Sequence, residues 1–309
     1  MLDTYCTGTV RRQSPEAPVQ VLDWENRVDS AGGAANVALN ITGLGGQAEL
    51  TGWVGKDTEG DIIRDLLQQN NISAHGLMEL QDYPTTHKTR YLDGSKDLLR
   101  VDRERSIQAS EELIARQLGV LGDLIRGCHA VVLQDYEKGY FNPINIQMII
   151  SLCQQYHIPV AVDPKKDQFW LFQGVDLFKP NLKELSEALG RKVTLEGNEL
   201  QTACLEARTR LGCRILMVTL GDQGVAVLDE NGFFRQDGNP RNVVDVCGAG
   251  DSVIAAAASC LALGLGSAEI AALANWCGGL ACEYSGTHPV SLAQIQESMK
   301  QPLMPASSL

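Results

Sequence analysis

From about residue 110 onward, short apolar runs rich in β-branched residues alternate with longer stretches whose apolar positions recur at helical spacing. The runs at 130–133, 159–162 and 215–218 suit strands buried on both faces. Around and between them the spacing predicts helices over 111–124, 142–156, 181–189 and 200–211. This alternation predicts an α/β fold, a doubly wound and mainly parallel sheet flanked by helices. Segments 4–30 and 83–102 break the rhythm. Val19-Gln-Val-Leu22 and His87-Lys-Thr-Arg-Tyr-Leu92 alternate with period two and predict antiparallel strands. Both segments interrupt the α/β pattern, which predicts a small β appendage placed to cover a site as a lid.

Composition adds limits. A chain of 309 residues with 44% hydrophobic and 21% charged content fits one domain spanning 1–309 around a sizeable core, with a Pro- and Ser-containing tail at 300–309 expected to fray. A net charge of −12 excludes non-specific binding to nucleic acid or to an anionic membrane, so an anionic substrate needs a local cation cluster. Nine cysteines without a CxxC pair read as reduced thiols of a cytoplasmic protein. The apolar runs at 253–263 and 271–280 are too short and too rich in small residues to span a bilayer.

The strongest chemical signal is Asp245-Val-Cys-Gly248-Ala249-Gly250-Asp251, followed at once by an apolar helix over 252–263. Glycines at a loop-to-helix junction let backbone amides converge where the helix adds partial positive charge, and an anion such as a moving phosphoryl group fits there. Asp251 then either accepts the proton of an attacking hydroxyl or simply caps the helix. Ala31-Gly32-Gly33-Ala-Ala-Asn36 opens a second helix, through Leu44, closed by Gly45-Gly46. Gly32 and Gly33 permit close backbone approach to a substrate, with the Asn36 amide one helical turn on facing the same ligand; helix packing explains the pair equally well. Asp57, in Gly52-Trp-Val-Gly55-Lys-Asp57, reads as a cap, and Asn181-Leu-Lys-Glu184 as a capping box. No GxGxxG follows a first strand, which weighs against a nicotinamide dehydrogenase.

In their order along the chain, the motifs at 32–36, 181–184, 219–224 and 245–251 resemble the ribokinase-like (PfkB) sugar kinases, over nearly the whole length. The resemblance implies an ATP-dependent carbohydrate kinase using Mg²⁺, with a monovalent cation left open. It implies Asp251 as general base beside an anion hole at Gly248, Ala249 and Gly250. Asn181 and Glu184 would organise magnesium and its waters. Thr219, Gly221 and Gly224 would line the nucleotide groove, Asn275 would approach the adenine, and Asp3 would bind sugar hydroxyls. It further implies a homodimer through the β lid.

Within that family the stretches Met1-Leu-Asp-Thr-Tyr5, Ser14-Pro-Glu-Ala-Pro18, His87-Lys-Thr-Arg90, Leu99-Arg-Val-Asp102, Gln134-Asp-Tyr-Glu-Lys-Gly139 and Val162-Asp-Pro-Lys165 resemble kinases of D-glycero-β-D-manno-heptose 7-phosphate. A substrate that already carries a phosphate needs a second anion site, for which Lys88, Arg90 and Lys138, with Arg12, Arg100 and Lys165, are the candidates. A kinase of a fructose- or ribose-type sugar and a catalytically weak binding protein on the same fold are the alternatives. Family members carry a further strand and a glycine ahead of the position of Met1. Either the true start lies upstream of Met1, or the fold tolerates a missing strand, in which case sheet hydrogen-bonding groups are expected to be exposed and Asp3 poorly anchored; a nucleotidyltransferase half like that of the bifunctional heptose enzymes is expected to be absent. Cys247 stands where threonine is more usual, a modest change in the loop.

Overall fold

The computed structural model describes residues 1–239 and 241–300. The frayed tail expected at 300–309 lies, beyond Lys300, outside them. In chain order the elements are β1 (Leu2–Gln13), β2 (Gln20–Ala31), α1 (Ala34–Gly43), β3 (Glu49–Gly55), α2 (Thr58–Gln69), β4 (Ser73–Leu80), β5 (His87–Asp93), β6 (Lys96–Arg103), α3 (Glu111–Arg126), β7 (Val131–Gln134) and α4 (Pro143–Gln155). There follow β8 (Val160–Asp163), β9 (Leu177–Phe178), α5 (Leu182–Leu189), α6 (Glu199–Leu211), β10 (Ile215–Thr219), β11 (Val225–Leu228), β12 (Phe233–Gln236), α7 (Ala249–Ala262), α8 (Ser267–Ala281) and α9 (Leu292–Lys300).

The main sheet has six strands in the order β12-β11-β10-β9-β8-β7, parallel from β7 to β10 and closed by two antiparallel strands. Because strand side chains alternate between faces, Val160, Val162, Phe178, Leu216 and Val218 feed one core under α3 to α6. Ala161, Leu177, Ile215 and Met217 feed the other, under α7 and α8. Each fully buried large apolar side chain contributes about 1.5–3 kcal/mol of transfer free energy, so two-sided burial explains why these strands are continuous apolar runs. Asn142 caps α4 ahead of Pro143, and Asn181 with Glu184 closes a capping box on α5. Asp57 caps α2 through the Gly60 amide.

The segments at 4–30 and 83–102 meet in a single four-stranded sheet, ordered β2-β1-β5-β6. β1 pairs antiparallel with β2 and parallel with β5. This double pairing corrects the expectation that Asp3 is poorly anchored: it lies in a strand bonded on both sides and is 4% exposed. Elsewhere the sheet is interrupted. β3 and β4 form a separate parallel pair, and among the described residues β7 pairs only with β8 and β3 only with β4. A cavity of about 260 Å³ lies between these two edges, lined by Leu50, Trp53, Val131 and Leu133 among others.

Candidate active site

Open α/β sheets present their ligand crevice at the carboxyl ends of the parallel strands. Here those ends bring Gln134 (β7), Asp163 (β8), Lys179 (just past β9) and Thr219 (β10) together. Facing them is the start of α7, where Gly248 takes φ 76°, a left-handed conformation that glycine adopts without strain. A Cβ there would also come within 2.7 Å of the Asn36 Nδ2. The loop before it is fixed by Asp245, whose carboxylate accepts from the amides of Cys247 (3.0 Å) and Gly286 (2.9 Å). The amide of Ala249 donates to the Val246 carbonyl at 3.3 Å, so of the two amides at 249 and 250 it is the Ala249 one that is already engaged. The Lys179 ammonium stands 3.8 Å from where a side chain on Gly250 would begin. Cys247 is a neutral thiol, its pKa pushed up to about 11 by burial and by Asp245.

Asp251 occupies the first turn of α7 and is 5% exposed. Its Oδ2 accepts from Asn36 Nδ2 at 2.8 Å, and its Oδ1 from the Tyr136 hydroxyl at 2.9 Å. Gln134 Nε2 lies 3.4 Å from the same Oδ1 and donates to Asp163 at 2.9 Å. Asn36 is thus not turned toward a ligand, as its spacing suggested. It is fully buried and holds the carboxylate, because α1 packs directly on α7 and Asn40 in turn donates to the Asn36 carbonyl. Burial pushes the Asp251 carboxyl up to about 7, with Asp163 adding to the rise while Asn36, Tyr136 and Lys179 oppose it. A carboxyl so tuned is half-ionised near neutrality, which suits a general base. The acid limb of kcat/KM is therefore expected near pH 7, activity rising with pH through it. Tyr136→Phe removes a donor that favours the carboxylate, so the limb is expected to move to higher pH, with most of the lost activity regained in alkali. A pH profile of both proteins checks the sign.

Lys179 and Asp163 form an ion pair at 3.0 Å with side chains 4% and 7% exposed. Glu184 is paired with Lys165 through one oxygen and accepts the Asn181 amide through the other at 2.9 Å. No cluster of three or more metal-ligating His, Cys, Asp or Glu side chains occurs among the described residues. This donor set fits Mg²⁺ held by phosphate oxygens and water, with Glu184 acting on the waters, since magnesium keeps much of its hydration and needs few protein ligands. Thr219 forms an isolated parallel β-bridge with Asn181 across the strand end. Gly221 and Gly224 shape the turn after β10, with φ 66° and 87°, and a Cβ on Gly224 would strike the Gln236 carbonyl at 2.1 Å. Asn275, on α8, donates to the Asp237 carbonyl at 2.8 Å.

At the other end of the cleft the Asp3 carboxylate lies over Gly32, where a Cβ would be 1.9 Å from its Oδ2. That close approach explains the glycine. Gly33 (φ 61°) faces the Tyr136 ring. Arg90 Nη1 donates to Asp3 at 2.7 Å and its guanidinium lies over the Tyr5 ring. Lys88 reaches Asp102 (3.0 Å) and Glu104 (3.2 Å), and Lys138 reaches Glu104 (2.9 Å). Arg100 pairs with Asp102 at an exposed position, Lys165 with Glu184, and Arg12 lies in the exposed end of β1.

The structure therefore gathers Asp3, Gly32 and Gly33 at one end and Asn36, Lys179 and the 248–251 loop at the other. Sequence reasoning assigned no part to Gln134, Tyr136, Asp163, Lys179 or Glu104. Four of these stand at or just past parallel-strand ends, and that placement is the signal that could have found them.

Residues 4–293 match the pfkB family of carbohydrate kinases. The chain is 37% identical to the bifunctional protein HldE of Koribacter versatilis over 99% of its own length and 63% of that protein's. It is 36% identical to HldE of Coxiella burnetii, over 97% of this chain and 62% of that protein. The chain thus spans less than two thirds of these curated relatives. Among solved structures, phosphofructokinase-2 from Escherichia coli in complex with potassium superposes with a TM-score of 0.78 at 22% identity, covering 96% of this chain and 94% of that one. Ribokinase of Arabidopsis thaliana complexed with ribose and ATP gives 0.75 at 21% identity, covering 97% and 96%. At these identities the structural likeness speaks for the fold.

Proposed function

The chain belongs to the pfkB family of carbohydrate kinases, and from that premise we propose that it transfers the terminal phosphoryl group of ATP to the C1 hydroxyl of D-glycero-β-D-manno-heptose 7-phosphate, giving the 1,7-bisphosphate. The observation that carries the chemistry is the buried Asp251 carboxylate, tuned to about 7 and set on the first turn of α7 beside the glycine loop. With the sugar between Asp3 and Asp251, the base accepts the hydroxyl proton. Asn36 and Tyr136 keep the carboxylate aimed. The Gly250 amide and the Lys179 ammonium face the charge that develops on the moving phosphoryl group. Magnesium bound with the nucleotide supplies charge neutralisation on the phosphate oxygens. Thr219, Gly221, Gly224 and Asn275 form the nucleotide side, and a monovalent cation is a further proposed cofactor.

The heptose 7-phosphate reading rests on the HldE relatives together with the Lys88 and Lys138 ammonium groups gathered on Glu104, Lys88 standing opposite Asp3 in the β1–β5 pairing. The four-stranded sheet serves as the lid. It also serves as a homodimer interface, a reading supported by the exposed Trp24, Val28, Leu99 and Val101 on its strands. We place the protein in the cytoplasm, where its nine free cysteines would stay reduced. ADP release coupled to NADH oxidation, measured across heptose 7-phosphate, fructose 6-phosphate, fructose and ribose, tests the substrate. The heptose phosphate is expected to give the highest kcat/KM. A preference for a free sugar would transfer the reading to a fructose- or ribose-type kinase, and no acceptor-dependent ADP would leave a binding protein on a kinase fold.

A further inference from the structure

Glu104 follows β6 and is not part of any glycine or kinase motif, yet both of its carboxylate oxygens are taken by cations from different parts of the chain. Lys138 Nζ lies 2.9 Å from Oε1 and Lys88 Nζ 3.2 Å from Oε2. Lys88 also reaches Asp102 at 3.0 Å. The two lysines are mostly covered, their side chains 17% and 25% exposed, and the pair holds the Glu104 carboxyl below its usual range. Long cationic side chains in that state are ordered around whatever anion lies between them.

The position of this cluster matters. In the parallel pairing of β1 with β5, Asp3 is opposite Lys88 and Tyr5 is opposite Arg90. Asp3, Lys88 and Arg90 therefore project from one face of the sheet, and the Arg90 contact with Asp3 identifies that face as the sugar side. Lys138 is two residues beyond Tyr136, whose hydroxyl touches Asp251. Two residues span at most about 7 Å between Cα atoms, so one short segment sends Tyr136 to Asp251 and Lys138 to Glu104. The segment thus links the Asp251 carboxylate to two lysines closed on an internal carboxylate.

We infer that Glu104 is a specificity determinant: it holds Lys88 and Lys138 as a preformed dication and is displaced by the phosphomonoester of the sugar substrate, whose place it fills. A phosphate dianion offers more negative charge and more acceptor oxygens than a carboxylate, so it replaces Glu104, whereas a neutral sugar leaves the internal pair closed. Glu104 acts by competition and touches no reacting atom. This deepens the sugar phosphate reading and rests on it for the identity of the acceptor.

The test uses inorganic phosphate as probe, titrated calorimetrically into the 309-residue chain saturated with Mg²⁺ and a non-hydrolysable ATP analogue, so that the 248–251 loop is already engaged. Glu104→Gln is expected to bind phosphate at least fivefold more tightly than wild type, and to lower KM for the phosphorylated sugar while leaving KM for ATP unchanged. Lys88→Ala combined with Lys138→Ala is expected to abolish the phosphate binding. Unchanged or weaker binding by a Glu104→Gln protein with wild-type circular dichroism would overturn the inference, since a purely structural carboxylate gives that result. If the variants behave as expected but no sugar phosphate is turned over, the phosphate subsite stands and the kinase reading falls. If turnover is normal while Glu104→Gln changes nothing, the reverse holds.

Discussion

Asp251→Asn is expected to lower turnover by about 10³-fold, inside the range for loss of a general base, while the protein stays folded. Asparagine matches the carboxylate in shape, and its amide can still meet Asn36 and Tyr136, the partners that now hold both oxygens. The stability effect has a definite sign. In the fold the Asp251 carboxyl sits at about 7 against 3.8 for an ordinary aspartate, so its ionised form opposes folding as pH rises through that window. The variant carries no such charge. Its Tm advantage over wild type is expected to be absent in acid, to grow as pH rises from about 4 to about 7, and to level off above that. Steady-state kinetics with thermal melts at several pH values check both parts. An active variant would remove Asp251 from the base role, and a pH-independent Tm difference would contradict its burial as a carboxylate.

Asp3→Ala is expected to act at the opposite end and on two properties at once. Arg90, with its side chain only 15% exposed, loses its carboxylate partner at 2.7 Å. Leaving a mostly covered guanidinium unpaired costs about 3 kcal/mol, visible as a lower urea midpoint with unchanged slope. A carboxylate that accepts sugar hydroxyls contributes roughly 1.5–3 kcal/mol per charged hydrogen bond, so KM for the sugar should rise by about 10²-fold while KM for ATP stays put. Gly32, which would collide with Asp3 if it carried a side chain, indicates how closely that carboxylate is fitted to the start of α1. A variant with wild-type KM would show that Asp3 serves the fold alone.

Much of this arrangement was legible because it is local. The runs at 130–133, 159–162 and 215–218 became β7, β8 and β10 with shifts of a residue at their ends, since two-sided burial admits few polar positions. The caps at Asp57 and Asn181 and the glycine turn at Gly248 are fixed by neighbours a few residues away. What sequence could not carry is the meeting of distant segments. The parallel pairing of β1 with β5 anchors Asp3, and nothing in either strand's alternation specifies it. Asn36 looked free to face a ligand because its partner Asp251 is 215 positions away. Lys88 and Lys138 read as candidate phosphate ligands, while the Glu104 carboxylate that joins them follows a different strand.

The claim that the molecule phosphorylates an already phosphorylated sugar is tested most directly by ³¹P NMR of a reaction containing the protein, MgATP and D-glycero-β-D-manno-heptose 7-phosphate. The expected result is a new anomeric phosphate resonance that grows in step with ADP while the 7-phosphate signal persists, and that fails to appear with Asp251→Asn. ADP formed without any new sugar phosphate resonance, or equal product from Asp251→Asn, would contradict it.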